Sequence, residues 1–244
     1  MVPVIQKSND IFIVEFPKSG ITWLSTIIAN INLMESGLKQ RATYYNIQQL
    51  IPDIHISRNI SDKAIWPFPN IRFIKSHFKY CPLYKNIIYL VRNPVSVLNS
   101  YYNFTISRKQ FKGSFKKFIN DSKFGIEAWI RHVDGWMKKN NSQRMHVIKF
   151  EELKDNPIQT IRDLYTNLGI MAEKNTIENA IELANITNMK ISEKHYNNFD
   201  PGRKVSFIGK GESKTELVNP DLKREIIKKS KHILISLGYD IDTL

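Results

Sequence analysis

The stretch Phe16-Pro17-Lys18-Ser19-Gly20-Ile21-Thr22-Trp23 lies between two apolar runs, Ile11-Phe12-Ile13-Val14 before it and Leu24 to Ile31 after it. The first run has the length and β-branched content of a strand, and the second has the length of a helix. The octet is therefore predicted to be a strand-to-helix turn that opens an α/β unit. Such a turn attracts anions. The first helical N–H groups lack intrahelical partners and point outward, and the helix dipole adds partial positive charge. Gly20 lets the backbone approach an anion closely. Lys18 adds a full charge, and Ser19 and Thr22 add hydroxyl donors. The octet is not G-x-x-x-x-G-K-[ST], because its Lys precedes its single Gly. That weighs against an ATPase or kinase.

Outward from the octet, the pattern alternates strands with helices. Arg72-Phe73-Ile74-Lys75-Ser76-His77 reads as a second strand, and a His at its end suits a cleft at the carboxyl edge of a sheet. An imidazole pKa near 6.5 suits a general base around neutral pH. Asn86 to Val91 reads as a buried strand, followed by Arg92-Asn93-Pro94 and a helix from Val95 to Phe104. Pro in the first helical turn makes this a second anion-attracting turn, with Ser100 two turns further on. Gly125 to Lys139 reads as an amphipathic helix, Met145 to Phe150 as a fourth strand, and Asn156 to Leu168 as a helix capped by Gly169. A helix is expected from Thr176 to about Lys190, a loop from His195 to Lys214, and a last helix from Asn219-Pro220 to about Gly238. In the less patterned 32–70 segment, Ile47, Leu50, Ile51 and Ile54 fall near helical spacing, which Pro52 disturbs or ends. The alternation implies a mainly parallel sheet covered on both faces.

The chain has 244 residues, 42% of them hydrophobic and 24% charged, which suits one globular domain spanning residues 1–244. No apolar run approaches the ~20 residues that span a bilayer. Residues 1–10 lack a signal-peptide apolar core. The single cysteine, Cys81, excludes an intramolecular disulfide, so a cytoplasmic setting is expected. The net charge of +13 favours anionic partners. With no RNA-recognition aromatics and no zinc-finger spacing, nucleic acid is not expected among them.

Two anion turns with a His between them, in this order, resemble the cytosolic-type sulfotransferases, and the resemblance covers nearly the whole chain. Lys18, Ser19, Gly20, Thr22 and Trp23 match the family's Y/F-P-K-S-G-T-T-W loop, with Ile21 in place of one Thr. Lys75 and His77 match its K-T-H segment, and Arg92 and Ser100 match its R-N-x-x-D-x-x-x-S motif. Phe150 to Pro157 with Leu168-Gly169 looks like its Y-E-D-L…P…L-G framework. The resemblance implies a P-loop-like α/β fold, 3′-phosphoadenosine 5′-phosphosulfate (PAPS) as donor, its product PAP, and no metal. It also implies roles. His77 would be the general base. Lys18 would stabilise the leaving phosphate and Lys75 would assist at the sulfuryl group. The octet through Ile21 and Thr22 would cradle the 5′-phosphate, and Trp23 would stack on adenine. Arg92 and Ser100 would hold the 3′-phosphate.

The sequence departs from the family in four further places. Ser96 stands where Asp is usual. In the segment that usually reads T-S-F-x-x-M, Ala184 replaces a hydroxyl and Ile186 the second adenine-packing aromatic. The late R-K-G loop has no single register: Arg203 and Lys204 fit its start, and Lys210 is the rival. The K-x-x-x-T-V-x-x-x-E dimer motif is not evident, which leaves the oligomeric state open. The chain is also shorter than many members, which implies trimmed acceptor loops. The acceptor is expected to be a small molecule or a glycan bearing a hydroxyl or, less favoured, an amine. Tyr44, Tyr45, Trp66 and Phe68 are candidate pocket walls, against the commoner outcome of buried core aromatics. Two other readings stand beside this one. A nucleotide or small-molecule kinase of related fold is disfavoured by the missing Walker pattern. A non-catalytic PAPS- or polyanion-binding module has no use for His77 and Lys75.

Overall fold

The computed structural model describes residues 7–56, 71–138, 144–199 and 218–244. Four strands form its centre: β1 (Asp10–Glu15), β2 (Arg72–Ser76), β3 (Asn86–Val91) and β4 (Arg144–Lys149). They lie in the order β2-β1-β3-β4, and every pairing is parallel. All six residues of β1 are buried, as a central strand covered on both faces requires.

Strand alternation divides the core. Ile11 and Ile13 of β1 face a cluster built with Leu24, Ile27 and Ile28 of α1 (Ile21–Glu35), α7 (Pro157–Leu168) and α8 (Lys174–Leu183). Phe12 and Val14 face the opposite cluster, which holds α3 (Pro94–Ser107), Trp129 and Trp136 of α5 (Ile126–Lys138), and α10 (Pro220–Ser236). The result is a three-layer, P-loop-like α/β fold. No helix among the described residues is long and apolar enough to cross a membrane.

At the entrance to the sheet, Arg72 grips Asp10 with two hydrogen bonds of 2.6 Å, from Nε and Nη2, and both side chains are buried. This pair pins β2 to β1. Removing Asp10 takes both of these charge-assisted bonds away from a buried guanidinium. Asp10→Ala is expected to lower stability by about 3–5 kcal/mol, read as a shift of the urea midpoint at unchanged m-value.

The expected helix starts and stops are formed by the expected residues. The Asn93 side chain accepts from Ser96 N at 2.9 Å to start α3, and Asn219 accepts from Leu222 N at 2.9 Å to start α10. Gly169 ends α7 in the left-handed region at φ 69. The short helix α2 (Ile47–Leu50) stops before Pro52. Three expectations need correction. The helix expected over 176–190 is two helices, because Asn185 interrupts it. Its side chain accepts from Asn188 N at 2.8 Å and starts α9 (Ile186–Phe199). That helix carries through His195 to Phe199, where a loop was expected, and the rest of that loop lies outside the described residues. Phe150 opens a separate helix, α6 (Phe150–Asp155), instead of ending β4. A further short helix, α4 (Phe115–Ile119), is started by Ser114, whose Oγ accepts from Lys117 N.

Candidate active site

The carboxyl ends of three adjacent strands converge on one edge of the sheet. β1 leads into the Phe16–Trp23 turn, β2 into His77 and β3 into Arg92. α1 and α3 leave β1 and β3 toward opposite faces, so the edge between them is the switch point where α/β folds place ligands.

The turn is built from inside. Glu15, the last residue of β1 and 2% exposed, accepts from Ile21 N at 2.7 Å and from Lys18 N at 3.2 Å. Ser19 is buried, and both its N–H and its hydroxyl donate to the Phe16 carbonyl, the latter at 2.8 Å. Two expectations about the turn change as a result. Not all of the leading N–H groups point outward, since Glu15 takes two of them. The Ser19 hydroxyl braces the turn in this state instead of presenting a donor. The N–H groups of Gly20 and Thr22 have no hydrogen bond among the described residues, and they are the pair left to meet an anion. Lys18 sits at φ 77 with its ammonium 4.7 Å from the centre of the Phe104 ring. Burial, opposed by Glu15 and Glu193, lowers its pKa to about 8.

Gly20 has φ 119, and a Cβ there would lie 2.5 Å from the Phe150 ring. Its freedom therefore lets an aromatic ring close on the turn, a second reason for glycine beside anion approach. Phe150 meets Trp23 edge to face at 5.8 Å and carries the Arg92 guanidinium 4.2 Å above its ring. Burial lowers the Arg92 pKa, with Glu151 opposing. Glu151 fastens the Arg92 turn: Oε1 accepts from Asn93 N and Nδ2, and Oε2 accepts from the Tyr239 hydroxyl at 2.8 Å. The Y-E-D-like segment thus supplies both an aromatic wall and the anchor of the second anion turn.

His77 is one-quarter exposed and stands between two carboxylates. Its Nδ1 is 3.7 Å from Glu15 Oε1, and its Nε2 is 3.6 Å from Asp53 Oδ2. Its backbone N–H donates to His55 Nε2 at 2.9 Å. Burial alone would depress the imidazole pKa, but Asp53 and Glu15 outweigh it and hold the pKa above the usual value. Lys75 is buried on β2 beside Asp53, with its pKa lowered by burial against the pull of Asp53 and Glu15. Behind His77, His132 bonds the Tyr89 hydroxyl through Nδ1 at 2.9 Å, and burial pushes its pKa down to about 3.

The other expected residues are less concentrated. Ser100 is half-buried on α3, two turns from Arg92, and Thr22 is half-buried at the start of α1. Ile186 is 39% exposed at the start of α9. Arg203, Lys204 and the rival Lys210 lie outside the described residues, as do Trp66 and Phe68. Tyr44 and Tyr45 line a cleft of about 470 Å³ between α1 and α9, with Met189 and His195, and its walls include neither Lys18 nor His77. Glu15, Asp53 and His55 are the site neighbours that the sequence reading did not single out, and Phe150 was read there as framework. An acidic residue directly after the apolar run Ile11 to Val14 was a visible signal for Glu15. Asp53 and His55 had none, since their segment follows no clear period.

A family model described as the sulfotransferase domain matches residues 8–234. Mouse sulfotransferase 4A1 is 25% identical over 189 residues, which cover 72% of this chain and 65% of that protein. Rabbit amine sulfotransferase is 25% identical over 205 residues, covering 79% of this chain and 67% of that protein. The chain thus spans about two thirds of these relatives. Among solved structures, a retinol dehydratase in complex with retinol and PAP superposes with a TM-score of 0.69 at 18% identity, over 94% of this chain and 82% of that one. Mouse sulfotransferase SULT7A1 complexed with PAP gives 0.66 at 19%, over 93% and 84%. With the domain model covering most of its length, the chain belongs to the sulfotransferase-domain family.

Proposed function

We propose that the chain is a PAPS-dependent sulfotransferase, acting as one domain, that moves a sulfuryl group to a hydroxyl or, less favoured, an amine. The observation that carries this reading is the placement of Lys18, His77 and Arg92 at the carboxyl ends of three adjacent strands. Sulfotransferase-domain membership supports the donor, as do the retinol dehydratase and SULT7A1 structures, both of which are complexes with PAP. The lone cysteine supports a cytoplasmic setting.

Each part of the site takes one task. The Gly20 and Thr22 N–H groups and Lys18 face the 5′-phosphate. Arg92, with Ser100, takes the 3′-phosphate, and Trp23 and Phe150 frame the nucleobase. The acceptor oxygen attacks sulfur, the bridging S–O bond breaks, and PAP leaves with the electron pair. His77 takes the acceptor's proton, while Lys18 and Lys75 offset the charge on the oxygens. Donors aimed at developing charge are worth most in such a half-buried site.

The pH dependence follows from two groups. His77 must be neutral to accept a proton, and its pKa is raised by Asp53 and Glu15 against burial, so kcat/KM rises with pH through a midpoint above 6.5. Lys18 must be charged, and burial brings its pKa to about 8, so kcat/KM falls as pH passes that value. The test is PAP formation from PAPS with a panel of phenols, alcohols and amines across this range. The expected result is a bell between those limbs. No PAP formation with any acceptor, or a flat profile, contradicts the proposal.

A further inference from the structure

The parallel register places Ile13 beside Lys75 and Val14 beside Ser76. The next residues of the two segments are Glu15 and His77, and their side chains approach each other. Glu15 is immobilised there by the Ile21 and Lys18 N–H groups, and it is 2% exposed. His77 Nδ1 is buried, has no hydrogen-bond partner, and faces Glu15 Oε1 at 3.7 Å. The other ring nitrogen, Nε2, faces Asp53 Oδ2 at 3.6 Å. The two carboxylates differ in degree: that of Glu15 takes two turn N–H groups and is 2% exposed, while that of Asp53 takes one, from His55 N at 2.8 Å, and is 12% exposed.

We propose that Glu15 is the positioning residue of His77: its carboxylate takes the Nδ1–H and leaves Nε2 as the atom that receives the acceptor's proton. The inference rests on the reading of His77 as general base. Neutral His77 then holds its proton on Nδ1, against Glu15. As the acceptor attacks, its proton passes to the Nε2 lone pair, and Glu15, remaining ionised, steadies the imidazolium that forms. Orientation of an imidazole by a buried carboxylate fixes the tautomer as well as the angle. Asp53 occupies the place at Nε2 that an acceptor's hydroxyl would take. One carboxylate would then serve two sites, tying the donor turn through Lys18 N and Ile21 N to the base through Nδ1.

The charged and titratable groups around His77 are Glu15 on β1, Asp53 and His55 in the segment after α2, Lys75 on β2 and His132 on α5. Lys18 faces Glu15 from the turn. Glu15 itself is raised by burial, with His77, the Ile21 N–H and Lys18 opposing, so Glu15 and His77 release their protons as a pair.

The experiment is a ¹⁵N and ¹³C NMR titration of the His77 ring in the full chain, assigned by loss of its signals in His77→Gln. In the native chain the expected neutral form is the Nδ1–H tautomer, with a midpoint above 6.5. Glu15→Gln should move the midpoint to lower pH and abolish the Nδ1–H preference. Asp53→Asn should lower the midpoint while keeping Nδ1–H. A role confined to bracing the turn would leave the tautomer unchanged in Glu15→Gln, and that result overturns the proposal. So does an Nε2–H tautomer in the native chain, a measurement that needs no variant to fold. A melting shift with PAP is recorded on the same native sample. If PAP gives none while the tautomer result holds, the donor assignment has failed and the Glu15–His77 contact has not.

Discussion

His77→Ala is expected to lower sulfuryl transfer by about 10²–10⁴-fold, the usual contribution of a positioned acid–base group, while PAP affinity stays within a few-fold. The contrast comes from where His77 stands. It follows β2, touches Glu15 and Asp53, and lies apart from the Arg92–Phe150–Trp23 cluster assigned to the nucleotide. Its removal takes away the proton acceptor and leaves that cluster intact. Single-turnover transfer and PAP calorimetry on the same variant separate the two effects. Equal losses of transfer and of PAP affinity would make His77 a structural residue.

Gly20→Ala is expected to damage stability and donor binding together. The position has φ 119, and the new Cβ would fall 2.5 and 2.7 Å from two atoms of the Phe150 ring. Overpacking of this kind costs about 1–3 kcal/mol, and the positive φ adds about 1–2 kcal/mol. The damage spreads because Phe150 cannot move alone. It packs against Trp23 and carries the Arg92 guanidinium, so a displaced ring disturbs both anion turns. A lower urea midpoint and loss of the PAP melting shift are expected together. Adding Phe150→Leu should recover part of the stability by making room. A Gly20→Ala variant with native stability and a native PAP response would show that the ring and turn are not locked together.

The central architecture was legible because it rests on local signals. The apolar runs around Phe12, Ile74 and Ile88, the Asn-Pro helix starts at Asn93 and Asn219, and the Gly169 stop are each specified within a few residues. The site was legible only in part. Lys18, His77 and Arg92 sit at strand ends, where pattern and chemistry coincide. What the sequence hid was pairing across the sheet. Glu15 sits between the apolar run and the octet, and only the alignment of β1 with β2 brings it near His77. Phe150 reads as strand and is the first residue of α6, which turns its ring onto Gly20. Asp53 reaches His77 from a segment with no clear period, held to β2 by the Ile54 N–H to Lys75 carbonyl bond. The break at Asn185 shows a polar side chain overriding helix periodicity by bonding the backbone itself.

The most direct test of the donor site is thermal melting of the chain with PAP beside AMP, ADP and ATP with magnesium. Ligand at about 100 times its dissociation constant adds about 2.7 kcal/mol of apparent stability. The expected result is a shift with PAP that AMP and ADP do not reproduce, because Arg92 and Ser100 are assigned to the 3′-phosphate. A shift with ATP and magnesium alone, or with no nucleotide at all, would contradict a PAPS-dependent sulfotransferase.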